Sequence, residues 1–201
     1  MSREENYMNR LLVFLLAAVL LYACKKNNDD PLPEPTMEFL SLDNAEVKDG
    51  VFQRVDLGEP NSPDFTFSTR SVTDPALNQT KFQFIVTTRI DSYLMLTTGT
   101  QTGKKFTKGD SIRTVASTGS TWASFSLMIL AQKITPAAGA AYWDGEWKNA
   151  SHHFLPIKIT RKNGDIHVGW VELSMDIANE KIILHRAAIS IEPDKNVRAG
   201  D

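Results

Sequence analysis

Residues 36–201 are predicted to fold as an all-β domain, a single antiparallel β-sandwich of jelly-roll-like form. Three features of the chain point there. Apolar and polar residues alternate with period two over many short runs, turn residues punctuate those runs, and nothing after the N-terminal region sustains the period of an amphipathic helix. The composition agrees: among 201 residues 42% are hydrophobic and 23% charged, ordinary values for a chain that buries a core.

The elements follow in order. Strands are expected over roughly 36–42 and 51–57. Phe65-Thr66-Phe67-Ser68 alternates, and Phe82-Gln83-Phe84-Ile85-Val86-Thr87 places Phe82, Phe84 and Val86 on one face. Further strands are expected over 92–98, 111–116, 121–130, 154–161, 165–174 and 181–191, segments rich in the Thr, Val, Ile and Phe that pleated, half-buried surfaces favour. Lys48-Asp49-Gly50, Thr98-Gly99, Lys108-Gly109-Asp110 and Arg161-Lys162-Asn163-Gly164-Asp165 supply turns. Asn163-Gly164 lies between two apolar runs and predicts a tight hairpin with both central residues at positive φ.

Charge and cysteine content exclude several classes. With 22 Lys+Arg against 24 Asp+Glu the formal net charge is −2, which leaves no electrostatic footprint for nucleic acid. The single cysteine rules out a disulfide framework and any multi-cysteine metal cluster.

The N-terminus reads as an address. Residues 1–10 are polar, with Arg3 and Arg10, and Leu11 to Ala23 is unbroken apolar sequence. As a helix that run spans only about 20 Å, short against a bilayer core of about 30 Å. Its length fits the hydrophobic region of a secretory signal over 1–23, rather than a permanent span or a buried core helix. The run ends in Leu21-Tyr22-Ala23-Cys24, which resembles the lipobox of bacterial lipoproteins, with Tyr22 bulkier than usual at its position. The resemblance implies cleavage before Cys24, acylation of its thiol and new amino terminus, and an outer-membrane lipoprotein on the periplasmic side or the cell surface. Two or three acyl chains hold a protein stably, at about 0.8 kcal/mol per buried CH₂. The segment 24–35 then carries the lipidated cysteine and a tether, Lys25-Lys26-Asn27-Asn28-Asp29-Asp30-Pro31-Leu32-Pro33-Glu34-Pro35, with almost nothing to bury. Fully extended it reaches at most about 36 Å, enough to clear the headgroups. The Lys-then-Asp stretch also resembles the surface-export signal of Bacteroidota lipoproteins.

A second resemblance covers the C-terminal third. Phe154-Leu155-Pro156-Ile157-Lys158-Ile159, then His167-Val168-Gly169-Trp170-Val171-Glu172-Leu173, then Val197-Arg198-Ala199-Gly200, is similar to the end of a broad group of secreted bacterial β-sandwich domains. Those carry a His-Tyr-Gly-Trp-Val-Arg-Leu strand and an Ala-Gly tail. Val168 and Glu172 depart from that pattern. The likeness bears on fold far more than on activity. Trp170, flanked in its strand by Val168 and Val171, is expected inside the sandwich.

Candidate sites are few. Tyr142-Trp143-Asp144-Gly145-Glu146-Trp147 sets three aromatics beside two carboxylates. Flat rings stack on the C–H faces of sugars and acids orient hydroxyls, so Tyr142, Trp143, Asp144, Glu146 and Trp147 form a candidate glycan-binding loop. The competing expectation is that Trp143 and Trp147 plug one end of the sandwich. Asp144 and Glu146 have the residue types of a glycosidase pair, but no second motif frames them. His152 and His153 would point to opposite faces of a strand, His167 and His185 would lie on paired strands where they could meet, and no zinc-type spacing is present. His185 shares a face with Ile183, Ala187 and Ile189, which predicts a core histidine. No Gly-x-Ser-x-Gly elbow or phosphate-binding Gly-rich loop occurs. Asp110-Ser111-Ile112 resembles the short O-glycosylation acceptor of Bacteroidota exported proteins. No catalytic residue, no metal and no cofactor beyond the lipid on Cys24 is expected. The expected partners are the membrane, through the anchor, and a glycan or another envelope protein. The sequence therefore suggests an envelope binding or interaction module, with a structural assembly subunit and an anchored glycan hydrolase as the alternatives.

Overall fold

The chain's strand pattern resolves into two antiparallel sheets packed face to face, in a computed structural model that describes residues 34–58 and 63–201. The expected signal sequence over 1–23, Cys24 and the expected tether as far as residue 33 lie outside the described residues. In order the strands are β1 (Met37–Val47), β2 (Gln53–Val55), β3 (Phe65–Asp74), β4 (Gln79–Thr88), β5 (Ser92–Thr97), β6 (Ser111–Ile112), β7 (Ser120–Ser124), β8 (Leu127–Pro136), β9 (Tyr142–Asp144), β10 (His153–Thr160), β11 (Ile166–Asp176), β12 (Lys181–Ser190) and β13 (Val197–Arg198). The large sheet has the order β1-β12-β11-β10-β5-β7 and the small sheet β2-β3-β4-β8-β9, with β13-β6 as a separate pair. No helix occurs among the described residues. The all-β sandwich expected from the sequence is what forms, and the compact unit runs from Pro35 to Asp201. The chain changes sheet after β1, β4, β7 and β9, and the last long strands, β10 to β12, make a plain meander.

Side-chain alternation decides which residues meet between the sheets. Leu155, Ile157 and Ile159 of β10 and Val171 and Leu173 of β11 face Phe65 and Phe67 of β3, Phe84 and Val86 of β4, and Met128 and Leu130 of β8. The opposite face of the large sheet carries a second apolar cluster. There Phe154, Val168, Trp170 and Ala188 are covered by Ile112 of β6, Val197 of β13 and Ala199. Trp170 is fully buried, but outside the sandwich rather than within it. Its neighbours Val171 and Leu173 take the core face, so parity sends Trp170 outward, where the C-terminal tail closes over it.

Several local expectations are corrected. The run 121–130 is two strands, because Phe125 adopts φ 46 and lets the chain leave the large sheet for the small one. The strand expected over 111–116 shrinks to the two residues of β6. At the β10–β11 hairpin only Gly164 takes positive φ, at 90°, and Asn163 does not. Gly164 N donates to Arg161 O at 2.9 Å and Arg161 N to Asp165 O at 2.9 Å. The loop is therefore a turn closed by a glycine bulge rather than a two-residue mirror-image turn.

His185 is corrected as well. The β12 register passes from Arg186 opposite Glu172 to Leu184 opposite Leu173, so His185 has no partner on β11. On the other side Ser41 faces Arg186 and Ala45 faces Leu184, leaving Leu42, Asp43 and Asn44 bulged. Asp43 and Asn44 take φ 52 and 57, as short polar side chains at bulges can. This two-sided bulge turns both His185 and Arg186 outward, and the histidine is only partly buried on the solvent face.

Candidate functional site

The aromatic loop does not present the platform its composition suggests. β9 pairs with β8 through Gln132–Asp144, Lys133–Trp143 and Ile134–Tyr142. Alternation puts Tyr142 and Asp144 outside and Trp143 inside, where its ring lies 5.9 Å from that of Phe84. Gly145 follows at φ 108, and a Cβ there would stand 2.7 Å from Leu130 O, so only glycine lets the chain pass this close to β8. The turn drives Trp147 inward. It is fully buried, its backbone N–H donating to Leu130 O at 3.2 Å and its indole N–H to Gly103 O at 3.3 Å. Trp147 is thus a plug with no face open to a ligand. Tyr142, Asp144 and Glu146 remain exposed. Asp144 ends a row of paired side chains across the small sheet. Arg70 Nε donates to Gln83 at 2.8 Å, Gln83 to Gln132 at 2.8 Å, and Gln132 to the Asp144 carboxylate at 3.1 Å.

A better-formed site lies on the outer face of the large sheet. Met95, Phe106, Ser111, Arg113, Val115 and Ser117 line a cleft of about 230 Å³. Its floor is set by strand pairing: Met95 of β5 sits opposite Trp122 of β7, and Tyr93 opposite Lys158 of β10. Lys158 shares the outward parity of Phe154 and Pro156, since Leu155, Ile157 and Ile159 take the core. Its ammonium lies 4.4 Å from the Tyr93 ring centre and 5.3 Å from that of Trp122. No carboxylate among the described residues pairs with it, and burial pushes its pKa below the usual lysine value. The Trp122 indole N–H donates to Arg113 O at 3.2 Å, fixing the segment that bears Arg113 against the ring. Ser111, the glycosylation candidate, is exposed on the wall of this same cleft.

Sequence reasoning missed this site because its residues come from separate stretches, around 93–95, 106, 111–117, 122 and 158, and converge only in the fold. One signal was there to use: a lysine in the middle of the apolar run 154–159.

The histidines form a third cluster. Those expected to meet, His167 and His185, do not. His167 is buried with its Nδ1 2.9 Å from Ser190 O. Instead His152 stacks on His185 at 4.1 Å. The His152 backbone N–H donates to Ser174 Oγ at 2.9 Å. The Ser174 hydroxyl then donates to His185 Nε2 at 2.8 Å, and His185 Nδ1–H donates to Asn44 Oδ1 at 2.6 Å. Burial, reinforced by the charge of His152 and opposed by Glu172, lowers the His185 pKa. Hydroxyl, imidazole and amide stand in the connectivity of a nucleophile, base and orienter. Ser174 Oγ also accepts the His152 N–H, which ties this hydroxyl to the turn before β10. The arrangement knits the bulge of β1 to β12 and β11. Nearby Glu172 receives His152 Nδ1–H at 2.7 Å and Arg186 Nε–H at 2.6 Å. Burial alone would raise this carboxyl; the two hydrogen bonds and their charges hold it below the usual range. Among the described residues, no group of three or more His, Cys, Asp or Glu side chains is placed to hold a metal ion.

Comparison with protein families, with curated proteins and with solved structures finds no match to this chain.

Proposed function

We propose that the protein is a lipid-anchored binding module of the bacterial cell envelope, held in the outer membrane through acylated Cys24 and binding a glycan. The anchor rests on the lipobox-like Leu21-Tyr22-Ala23-Cys24 and the proline-rich stretch after it. Binding rests on one observation above all, the cleft walled by Phe106, Arg113 and Val115 beside the rings of Trp122 and Tyr93. Aromatic and apolar walls with a few convergent polar groups are the usual make-up of a small-ligand site. Ser111 and Ser117 supply hydroxyls to pair with those of a sugar. The binding surface is thereby moved from the 142–147 loop, whose Trp147 is core, to the outer face of the large sheet.

The test is an oligosaccharide panel screened against the detergent-solubilised protein and a Val115→Trp variant. Val115 is 76% exposed, so the larger side chain fills the cleft without disturbing the core. A glycan bound by the wild type and lost by the variant supports the reading. Binding of no glycan, or binding unaffected by Val115→Trp, overturns it.

A further inference from the structure

Resting on that reading, we infer that the ligand of the outer-face cleft is an acidic saccharide, whose ring carboxylate is received by Lys158 and Arg113.

The cleft has no acidic partner of its own. Its lining contains a guanidinium and two hydroxyls but no carboxylate. Arg113 is exposed and makes no ion pair or side-chain hydrogen bond with any described residue. Lys158, next to the cleft through Trp122, is likewise without a carboxylate, although carboxylates are plentiful elsewhere in the fold. Two strand lysines, one on each sheet, show the contrast. Lys181 of β12 pairs with Glu46, and Lys133 of β8 in the small sheet reaches Glu180 at 2.5 Å. An ammonium partly withdrawn from water and faced only by rings keeps some cation–π attraction but forfeits hydrogen bonds that its three N–H groups would make in solvent. A bound anion returns those bonds as charge-assisted ones, and a neutral sugar does not.

Geometry narrows the anion. Arg113 presents a planar fork that suits the two oxygens of a carboxylate, and Lys158 a point charge that tolerates varied approach. The Trp122 and Phe106 rings and Val115 offer apolar surface for the C–H face of a pyranose, which favours a carboxylate carried on a ring over a free small anion.

The experiment uses the full-length protein in detergent, titrated calorimetrically with oligogalacturonate and hyaluronan fragments and with the carboxyl-methylated form of each. The expected result is a preference of about tenfold or more for an acid over its methyl ester, shrinking as salt is raised. Lys158→Met and Arg113→Gln should each reduce that preference toward unity while leaving the ester's weak affinity in place. Lys158→Met should also melt no lower than the wild type, since it removes an unpaired, half-buried charge. Equal binding of acid and ester overturns the acidic class and leaves the glycan reading standing. An acid preference that survives both substitutions overturns the assignment to this cleft. If neither acid binds while a neutral panel glycan does, the acidic class falls alone; if nothing binds, both readings fall.

Discussion

His152 and His185 lie face to face, ring centres 4.1 Å apart and 15° from parallel, although one sits in the turn before β10 and the other in the middle of β12. The stack exists because β12 bulges at His185 and because His152 takes φ 51, which swings its ring back over the sheet. Two imidazoles in van der Waals contact cannot both carry charge without repulsion, and after burial the neighbouring His152 is the next cause that lowers the His185 pKa.

That coupling gives a pH dependence. His185 has a folded pKa below its ordinary value of 6.5, so the unfolded chain binds more protons than the fold near that pH. Its contribution is fully present above pH 6.5 and is lost as pH falls through the lower, folded pKa. Glu172, lowered from 4.5, contributes a separate loss that starts only below that value. Melting temperature should therefore decline in two stages on acidification. His185→Gln should flatten the upper stage and keep the lower one; identical profiles for variant and wild type would refute the assignment.

Two glycines should fail for different reasons. Gly164 has φ 90 and open space where a Cβ would go, so Gly164→Val should cost only left-handed strain, about 1–2 kcal/mol. Gly169 has an unexceptional backbone, but a Cβ there would overlap Ala188 O and lie 2.8 Å from Ile189 Cα. Gly169→Ala should cost more, at least about 3 kcal/mol, despite the smaller side chain added. Urea unfolding of both variants checks the ranking, and a Gly169→Ala protein as stable as Gly164→Val would contradict it.

Trp170 packs edge-on to Phe154 at 5.1 Å and to Phe39 at 6.2 Å, with the Arg186 guanidinium over its face at 5.0 Å. Trp170→Ala should cost about 3–5 kcal/mol. Its buried indole N–H makes no hydrogen bond to the described residues, so Trp170→Phe has no such bond to lose and should cost less than half as much. Chemical denaturation of both variants decides the point.

Two substitutions separate the anchor from the loop. Cys24→Ser should move the protein from the detergent-rich to the aqueous phase in a phase-partition assay, with the acyl mass gone. Trp147→Ala should instead lower stability by about 3–5 kcal/mol, as a core aromatic does, without changing that partition. A Cys24→Ser product still in the detergent phase would remove the lipid from the account.

Most long strands were legible because period-two alternation is written locally, as in Phe82, Phe84 and Val86, and needs no knowledge of partners. β9 and β13 escaped because three and two residues are too few to show a period. The outward side of His185 was hidden for a different reason. Parity can be counted along one strand, but a bulge that resets it depends on the register with neighbours, here Ser41–Arg186 against Ala45–Leu184. The aromatic loop misled because composition cannot reveal that Gly145 passes close enough to Leu130 to send Trp147 inward. The cleft was illegible as a site because Lys158, Tyr93 and Trp122 are adjacent only across strands.

The two sheets are open, so each leaves strands whose outer hydrogen-bonding groups are free to recruit another polypeptide. The small sheet ends in β2 and β9, each three residues long, and β9 stops at a glycine pressed against β8. The large sheet ends in β7, five residues, and in β1, whose eleven residues are interrupted by Asp43 and Asn44 in the left-handed region. None of these borders offers an incoming chain a long, flat template. The bulge that displaces His185 thus also guards against edge-to-edge aggregation: deleting Asp43 and Asn44 would leave one residue opposite His185, straighten β1, expose a continuous ladder to other copies and invite them to polymerise.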